Sequence, residues 1–294
     1  EKTDLKLNVI GKIPEILLDN TDQNRTSPFA FTGNKFEFRA VGSKTNCAKP
    51  MTVLNSIVAE QLITFKKKVD QHLKNPKMKK DDAIFNELRD SIKYIRTILF
   101  EGDGYSEAWI KQAKKRGLSP TTSTPDALQA YVAPKSISMF HTLDVFSKRE
   151  LEARVRVDLE QYTHTLQIEG RTLGDIARNH IIPTAIQYQN TLIDNVKGLK
   201  EIYGATYKTH AKEQMVLIER ISGHIAQINT GVNDMIEARK KANTIEDTAA
   251  KANAYHAQVK VYFDSIRYHC DKLELLVDNS IWPLAKYREL LFSR

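Results

Sequence analysis

The chain has 294 residues, with 44 lysines and arginines against 36 aspartates and glutamates, a net charge of +8. Hydrophobic residues at 41% and charged residues at 27% are enough to build a core, which excludes disorder as the whole answer. Only 12 glycines and 9 prolines interrupt it, so long helices are expected. The two cysteines, Cys47 and Cys270, lie far apart with no CxxC spacing. That excludes a disulfide scaffold and a zinc site, and it fits a reducing compartment. No run approaches the roughly 18 apolar residues of a membrane span, so the chain is expected to be cytoplasmic, with no membrane partner. Basic clusters at Lys66 to Lys68, at Lys77, Lys79 and Lys80, and at Lys114 to Arg116 stand beside acidic residues such as Asp70, Asp81 and Asp82. Without interleaved aromatics they read as solvated helix faces, not as a nucleic-acid surface.

In chain order, Leu5, Leu7 and Val9 alternate with polar neighbours, and the apolar stretch Ile13 to Leu18 reads as a strand or extended segment. Phe29 to Phe31 and Phe36 to Phe38 then flank Gly33 and Asn34. This pattern predicts a β-hairpin over residues 28–40. Strand alternation puts Phe36 and Phe38 on one face, and Lys35, Glu37 and Arg39 on the other. Helical spacing takes over at Pro50 and predicts helices to about Leu73, from Asp81 to Phe100, and through Trp109 to Gly117. Thr124 is expected to cap a further helix, and Pro134 to open another turn or two. Gly102 and Gly104 lack the lysine of a phosphate loop and read as a helix end.

Beyond Ser147, the pair Ser147 and Glu150 forms a capping box for a helix running towards Ile182, where Pro183 kinks or ends it. A helical stretch then reaches Tyr203 and stops at Gly204. From Thr209 to Ala242 the residues Met215, Ile218, Ser222, Ile225, Asn229, Val232 and Ile236 form a stripe read as core. Thr244 with Asp247 is expected to cap the last long helix. There Tyr255, Val259, Tyr262, Ile266, Cys270, Leu273 and Val277 repeat the spacing. These amphipathic helices predict an antiparallel bundle. His180 reads as a packed or capping residue, and His269 beside Cys270 as a surface and core pair, since neither has ligands or an orienting partner at useful spacing.

The charged hairpin face is where chemistry concentrates. A glutamate is a hard oxygen ligand suited to magnesium, and arginine forks neutralise phosphate oxygens as charge moves. Arg25 adds a second guanidinium upstream of Arg39. One carboxylate cannot hold magnesium alone, and a two-stranded hairpin is marginal alone. Further strands and ligands are therefore expected from another chain or from residues preceding Glu1.

The run from Asn24-Arg25-Thr26-Ser27 through Lys35-Phe36-Glu37-Phe38-Arg39 to Asn46, Cys47, Ala48 and Pro50 resembles the late catalytic segment of glutamine synthetase, most of all the type III enzymes. Glu101 to Ser106, Trp109 to Leu118, Asn179 to Pro183, Tyr188 to Asn190 and Trp282-Pro283-Leu284 extend the resemblance over nearly the whole chain. It implies a mainly α fold with a small β-hairpin region: the C-terminal part of the catalytic domain over residues 1–146, then a helical bundle over 147–294. It further implies an ATP-dependent glutamate–ammonia ligase forming glutamine through γ-glutamyl phosphate, with ATP and Mg2+ or Mn2+ as cofactors. Glutamate and ammonia would be the substrates, the N-terminal part of the enzyme the partner, and a homo-oligomer the assembly. By the same resemblance Glu37 is a metal ligand, Arg25 contacts phosphate and glutamate, Arg39 neutralises the transferred phosphoryl group, and Lys35 lies in the nucleotide pocket. Many relatives carry an arginine where Ala30 stands, so that contact is not carried over. The chain by itself is expected to be inactive. The alternative is a non-enzymatic helical scaffold or oligomerisation module.

Overall fold

The computed structural model describes residues 6–7, 16–17, 29–31, 36–38, 46–96, 98–100, 103–104, 106–119 and 121–292. Within them the fold is mainly α. Two short ladders open the chain. β1 (Lys6–Leu7) pairs antiparallel with β2 (Ile16–Leu17), and β3 (Phe29–Phe31) pairs antiparallel with β4 (Phe36–Phe38). The apolar stretch before residue 18 is thus a strand with its own partner, in a ladder separate from the hairpin. The hairpin lies where aromatic alternation predicts it. Its connecting Gly33 and Asn34 lie outside the described residues.

The chain divides into two compact units, residues 1–122 with 132–151, and residues 123–131 with 152–294. In the first, α1 (Ala48–His72) begins two residues before Pro50, because the Asn46 side chain accepts the Ala48 N–H at 2.7 Å. Pro50 then falls in the first turn, where a missing N–H costs nothing. α1 packs on α2 (Lys80–Ile95), and Glu87, 5% exposed, accepts from Lys68 Nζ at 2.9 Å and from the Ser91 hydroxyl at 3.1 Å. The Lys68 hydrogen bond holds the Glu87 carboxyl below its usual range against the opposing effect of burial.

α2 ends five residues short of the predicted Phe100. Phe100 instead stacks on Trp109 with ring centroids 4.1 Å apart, and the Arg116 guanidinium lies over the other partner of that sandwich, 5.5 Å from the Trp109 ring. Arg116 Nη1 also donates to the Leu99 carbonyl at 2.6 Å. Tertiary contacts of one aromatic residue therefore override the helical pattern. Gly104 lies in the turn before α3 (Glu107–Lys115), not at a helix end, while Gly102 is outside the described residues. Ser106 caps α3, accepting the Trp109 N–H at 3.2 Å. Gly117 closes α3 at φ 78°, with Gly117 N donating to the Lys114 carbonyl and Leu118 N to the Ala113 carbonyl, both at 3.0 Å. That paired bonding needs a left-handed residue at the turn, which glycine supplies without steric cost.

Ser123, not Thr124, caps α4 (Thr124–Gln129), since its hydroxyl accepts the Asp126 N–H at 3.2 Å. α5 (Pro134–Thr142) starts at Pro134 and buries Met139 and Phe140. α6 (Lys148–Ile176) opens on the predicted capping box: Glu150 Oε2 accepts the Ser147 N–H at 2.8 Å, and Ser147 Oγ accepts the Glu150 N–H at 3.3 Å. Such a cap contributes about 1 kcal/mol.

Pro183 neither ends nor breaks this helix. A π turn at Ala177–Ile181 leads directly into α7 (Ile182–Tyr203), which carries Pro183 in its first turn. Widening the turn before a proline gives its ring room against the preceding carbonyls, so the helix continues instead of breaking. Gly204 caps α7, and α8 (Tyr207–His210) leads to α9 (Lys212–Asn243). Asp247, rather than Thr244, caps α10 (Thr248–Ala254), accepting the Ala250 N–H at 2.7 Å. A second π turn, Tyr255–Val259, continues into α11 (Val261–Leu276), and α12 (Tyr287–Leu291) follows.

The second unit is a bundle of three long rods. Gln189 reaches the Ile218 carbonyl at 2.9 Å and Gln214 reaches Asn195 at 3.2 Å, so α9 runs antiparallel to α7. Tyr162 bonds to His256 at 2.7 Å, and Gly170 packs on Phe263, so α6 and α11 run parallel. α9 and α11 are antiparallel, with His224 on His269 and Gly231 on Ile266. A methyl group at Gly231 would stand 3.0 Å from Ile266 Cγ1, so the bare glycine sets the close approach of these two helices.

The α9 core line is Ile221, Ile228, Val232 and Met235, each at most 2% exposed. It lies beside the predicted stripe: Val232 is common to both, Ile218, Ile225 and Ile236 are partly buried against the core, and Ser222 and Asn229 are exposed. On the last rod the prediction holds for Tyr255, Val259, Ile266, Cys270, Leu273 and Val277, all buried, with Tyr262 partly so.

Candidate active site

The hairpin brings Glu37 opposite Ala30 and Phe38 opposite Phe29 in the antiparallel register. Glu37 and Phe38 are both half-buried and, as neighbours on a pleated strand, project to opposite sides. Arg25, Lys35 and Arg39 lie outside the described residues. Among the described residues no group of three or more histidine, cysteine, aspartate or glutamate side chains could hold a metal ion. Glu37 offers one hard oxygen of the kind that magnesium prefers, and not a whole donor set.

Several of the other motif residues that are described make structural contacts. Trp109 and Arg116 form the sandwich with Phe100. Asn179 and His180 sit in the π turn; His180 is exposed, neither packed nor capping, and its carbonyl accepts the Thr184 hydroxyl at 2.9 Å. Lys286 Nζ donates to the Glu274 carbonyl at 3.0 Å and lies 5.9 Å from the Trp282 ring, tying the chain after α11 back onto it.

Residues 83–200 match the family model of the glutamine synthetase C-terminal domain. The whole chain aligns at 49% identity with a glutamine synthetase of Bacteroides fragilis, of which it covers 40%. The chain is thus similar to the C-terminal part of glutamine synthetases. With 99% of its length it is also 34% identical to a type-3 glutamine synthetase of Dictyostelium discoideum, covering 39% of it. It is 27% identical to a glutamine synthetase of Butyrivibrio fibrisolvens, with 94% of the chain covering 38% of that protein. The segment thus spans about two-fifths of the length of the curated relatives it matches. No helix among the described residues is long and apolar enough to cross a membrane.

Two polar contacts inside the bundle escape sequence reading, because their partners lie 94 and 45 positions apart. Burial, with the Glu169 charge, pushes the Tyr162 hydroxyl above its usual range, and it shares a hydrogen bond with His256 Nδ1. His224 Nδ1 and His269 Nδ1 are 2.9 Å apart. They cannot both carry a proton towards each other. Burial first, then the His269, Arg220 and Lys272 charges, lower the His224 pKa from its ordinary 6.5.

Below pH 6.5 the unfolded chain takes up a proton that the folded bundle refuses, so stability falls as pH drops until the folded pKa is passed. Thermal unfolding should show that loss in the parent and a flatter profile in His224→Asn. Equal slopes in both would rule out this residue as the source.

Proposed function

We propose that this chain is the C-terminal segment of an ATP-dependent glutamate–ammonia ligase, in which residues 1–146 contribute one wall of the active site and residues 147–294 a helical assembly region. Similarity to glutamine synthetases along the whole chain carries this reading, and the half-buried Glu37 on the hairpin supports it. In the reaction the glutamate γ-carboxylate attacks the γ-phosphorus of ATP and ADP leaves. Ammonia then attacks the γ-glutamyl phosphate, and phosphate departs as the amide forms.

The charge that moves is negative throughout, so the chemistry calls for fixed positive groups around the phosphoryl oxygens. Arg25 binds phosphate and the glutamate substrate, Arg39 neutralises the transferred phosphoryl group, and Lys35 holds the nucleotide. Glu37 is one oxygen ligand of a divalent ion, Mg2+ or Mn2+, which when bound supplies charge neutralisation between the phosphates. The other ligands and the ammonia site belong to the rest of the enzyme, in keeping with the two-fifths coverage of the relatives.

The bundle leaves large apolar side chains in solvent, among them Val157, Ile168, Ile202, Val261 and Leu275. Such residues suit subunit contacts in a cytoplasmic homo-oligomer. Measuring glutamine formation by the complete enzyme with Glu37→Gln or Arg39→Ala tests the reading. A ligase loses synthesis and keeps its assembly, whereas a scaffold loses nothing.

A further inference from the structure

Three guanidinium groups converge on a surface pocket of about 230 Å3 between α6, its π turn and α9. Arg171 and Arg178 come from the α6 side and Arg239 from α9, with Gly174 and Met235 also lining the pocket. The lining holds one carboxylate, Asp175, which accepts from the Asn179 amide. Arg178 Nη2 donates to Asn233 Oδ1, a neutral partner that leaves its charge uncompensated. Among the described residues none of the three arginines pairs with a carboxylate, so three positive groups face one negative one.

Arg239 is half-buried and lines the pocket from α9. Its Nη1 is buried and, among the described residues, is the one buried side-chain polar atom without a hydrogen-bond partner. A desolvated charged donor left unpaired is costly, and a bound water or ion is one way such a group is satisfied. Arg178 and Asn179 also stand on the π turn, a local widening of the helix that recurs at functional sites.

We propose that this pocket binds a phosphate or diphosphate group through Arg171, Arg178 and Arg239. Several forks approaching from two helices match the oxygens of a phosphate, whereas one fork already satisfies a carboxylate. The volume is below the roughly 300 Å3 at which sites for drug-sized molecules begin, so the pocket takes the phosphate end of a ligand and not a large molecule whole. The group comes either from free pyrophosphate or from the diphosphate of a nucleotide. This site is independent of the ligase reading, since every residue in it belongs to the helical unit.

Calorimetric titration of the 294-residue chain with pyrophosphate at fixed ionic strength tests it. Saturable binding is expected, at least about tenfold weaker in Arg239→Met, the effect of losing one charge-assisted hydrogen bond. Lys197→Gln, which alters an exposed lysine paired with Asp194, should bind as the parent does. Without ligand, Arg239→Met should unfold at the same temperature as the parent or higher, because a buried unpaired donor has gone. If that variant fails to fold, Arg171→Gln, at an exposed position, must weaken binding instead. ADP binding more tightly than pyrophosphate, and lost with Arg239, identifies a nucleotide diphosphate; the reverse order identifies free pyrophosphate. Absence of saturable heat, undiminished binding in folded arginine variants, or succinate binding as tightly as pyrophosphate overturns the proposal.

Discussion

Glu37→Gln in the complete ligase is expected to lower the rate of glutamine formation by about 10²–10³-fold, the scale at which one preorganised electrostatic group contributes to a transition state. Glutamine keeps the length and shape of the side chain and leaves the hairpin's backbone ladder untouched. It removes the anionic oxygen. A metal ligand lost in this way weakens the affinity for the ion, so raised Mg2+ or Mn2+ should restore part of the rate. Arg39→Ala should cost a comparable factor with no such rescue, since a missing guanidinium is not replaced by more metal. Steady-state rates over a metal titration separate the two. An enzyme whose Glu37→Gln variant shows parental rates at every metal concentration does not use this carboxylate as a ligand, and the assignment of the hairpin to the active site then fails.

The largest effect on stability is expected at Tyr255. Its ring is fully buried, and its hydroxyl donates to Asn243 Oδ1 at 2.6 Å while accepting from Gln167 Nε2 at 2.9 Å. Gln167 also donates to Asn243 at 3.0 Å, closing a triangle among α6, the end of α9 and the π turn before α11. Tyr255→Ala removes an aromatic side chain from the core and should cost about 3–5 kcal/mol. Tyr255→Phe keeps the ring and loses only hydrogen bonds whose other members are at the surface, so about 1 kcal/mol is expected. Denaturant unfolding followed by helical circular dichroism measures both. Near-equal losses would mean that the hydroxyl triangle, and not the packing, holds the three rods together.

Much of this fold is legible in the sequence, because its signals are local. Alternating phenylalanines around Gly33 and Asn34 give the hairpin, Ser147 and Glu150 give the start of α6, and the spacing from Tyr255 to Val277 gives a buried face. The misreadings share one cause: a distant contact outweighs a local pattern. Phe100 leaves the helical register to stack on Trp109. The core line of α9 shifts beside the expected stripe because α9 packs against two sides, α7 and α11, so burial follows Ile221 and Ile228 and not the single best apolar spacing. Capping residues are ambiguous where several candidates adjoin, as at Ser123 beside Thr124 and Asp247 after Thr244.

The candidate site shows the same division. Glu37 announces itself by its place in an alternating strand. The arginine pocket does not, since Arg171 and Arg178 share a helix face while Arg239 lies 61 positions beyond Arg178, and only the packing of α6 on α9 brings them together. No spacing rule reaches that far. The π turn is likewise hidden, although Pro183 marks the neighbourhood in which some helical irregularity must occur.

The two sulfhydryls divide the chain chemically. Burial, with the Asp271 charge, raises the Cys270 thiol to about 11, so in the folded bundle it is both shielded and short of thiolate. Cys47 is exposed at the foot of the first helix, eight positions after Arg39. An alkylating or oxidising reagent therefore meets the molecule at Cys47 first, and a second adduct in the intact mass records opening of the three-rod core.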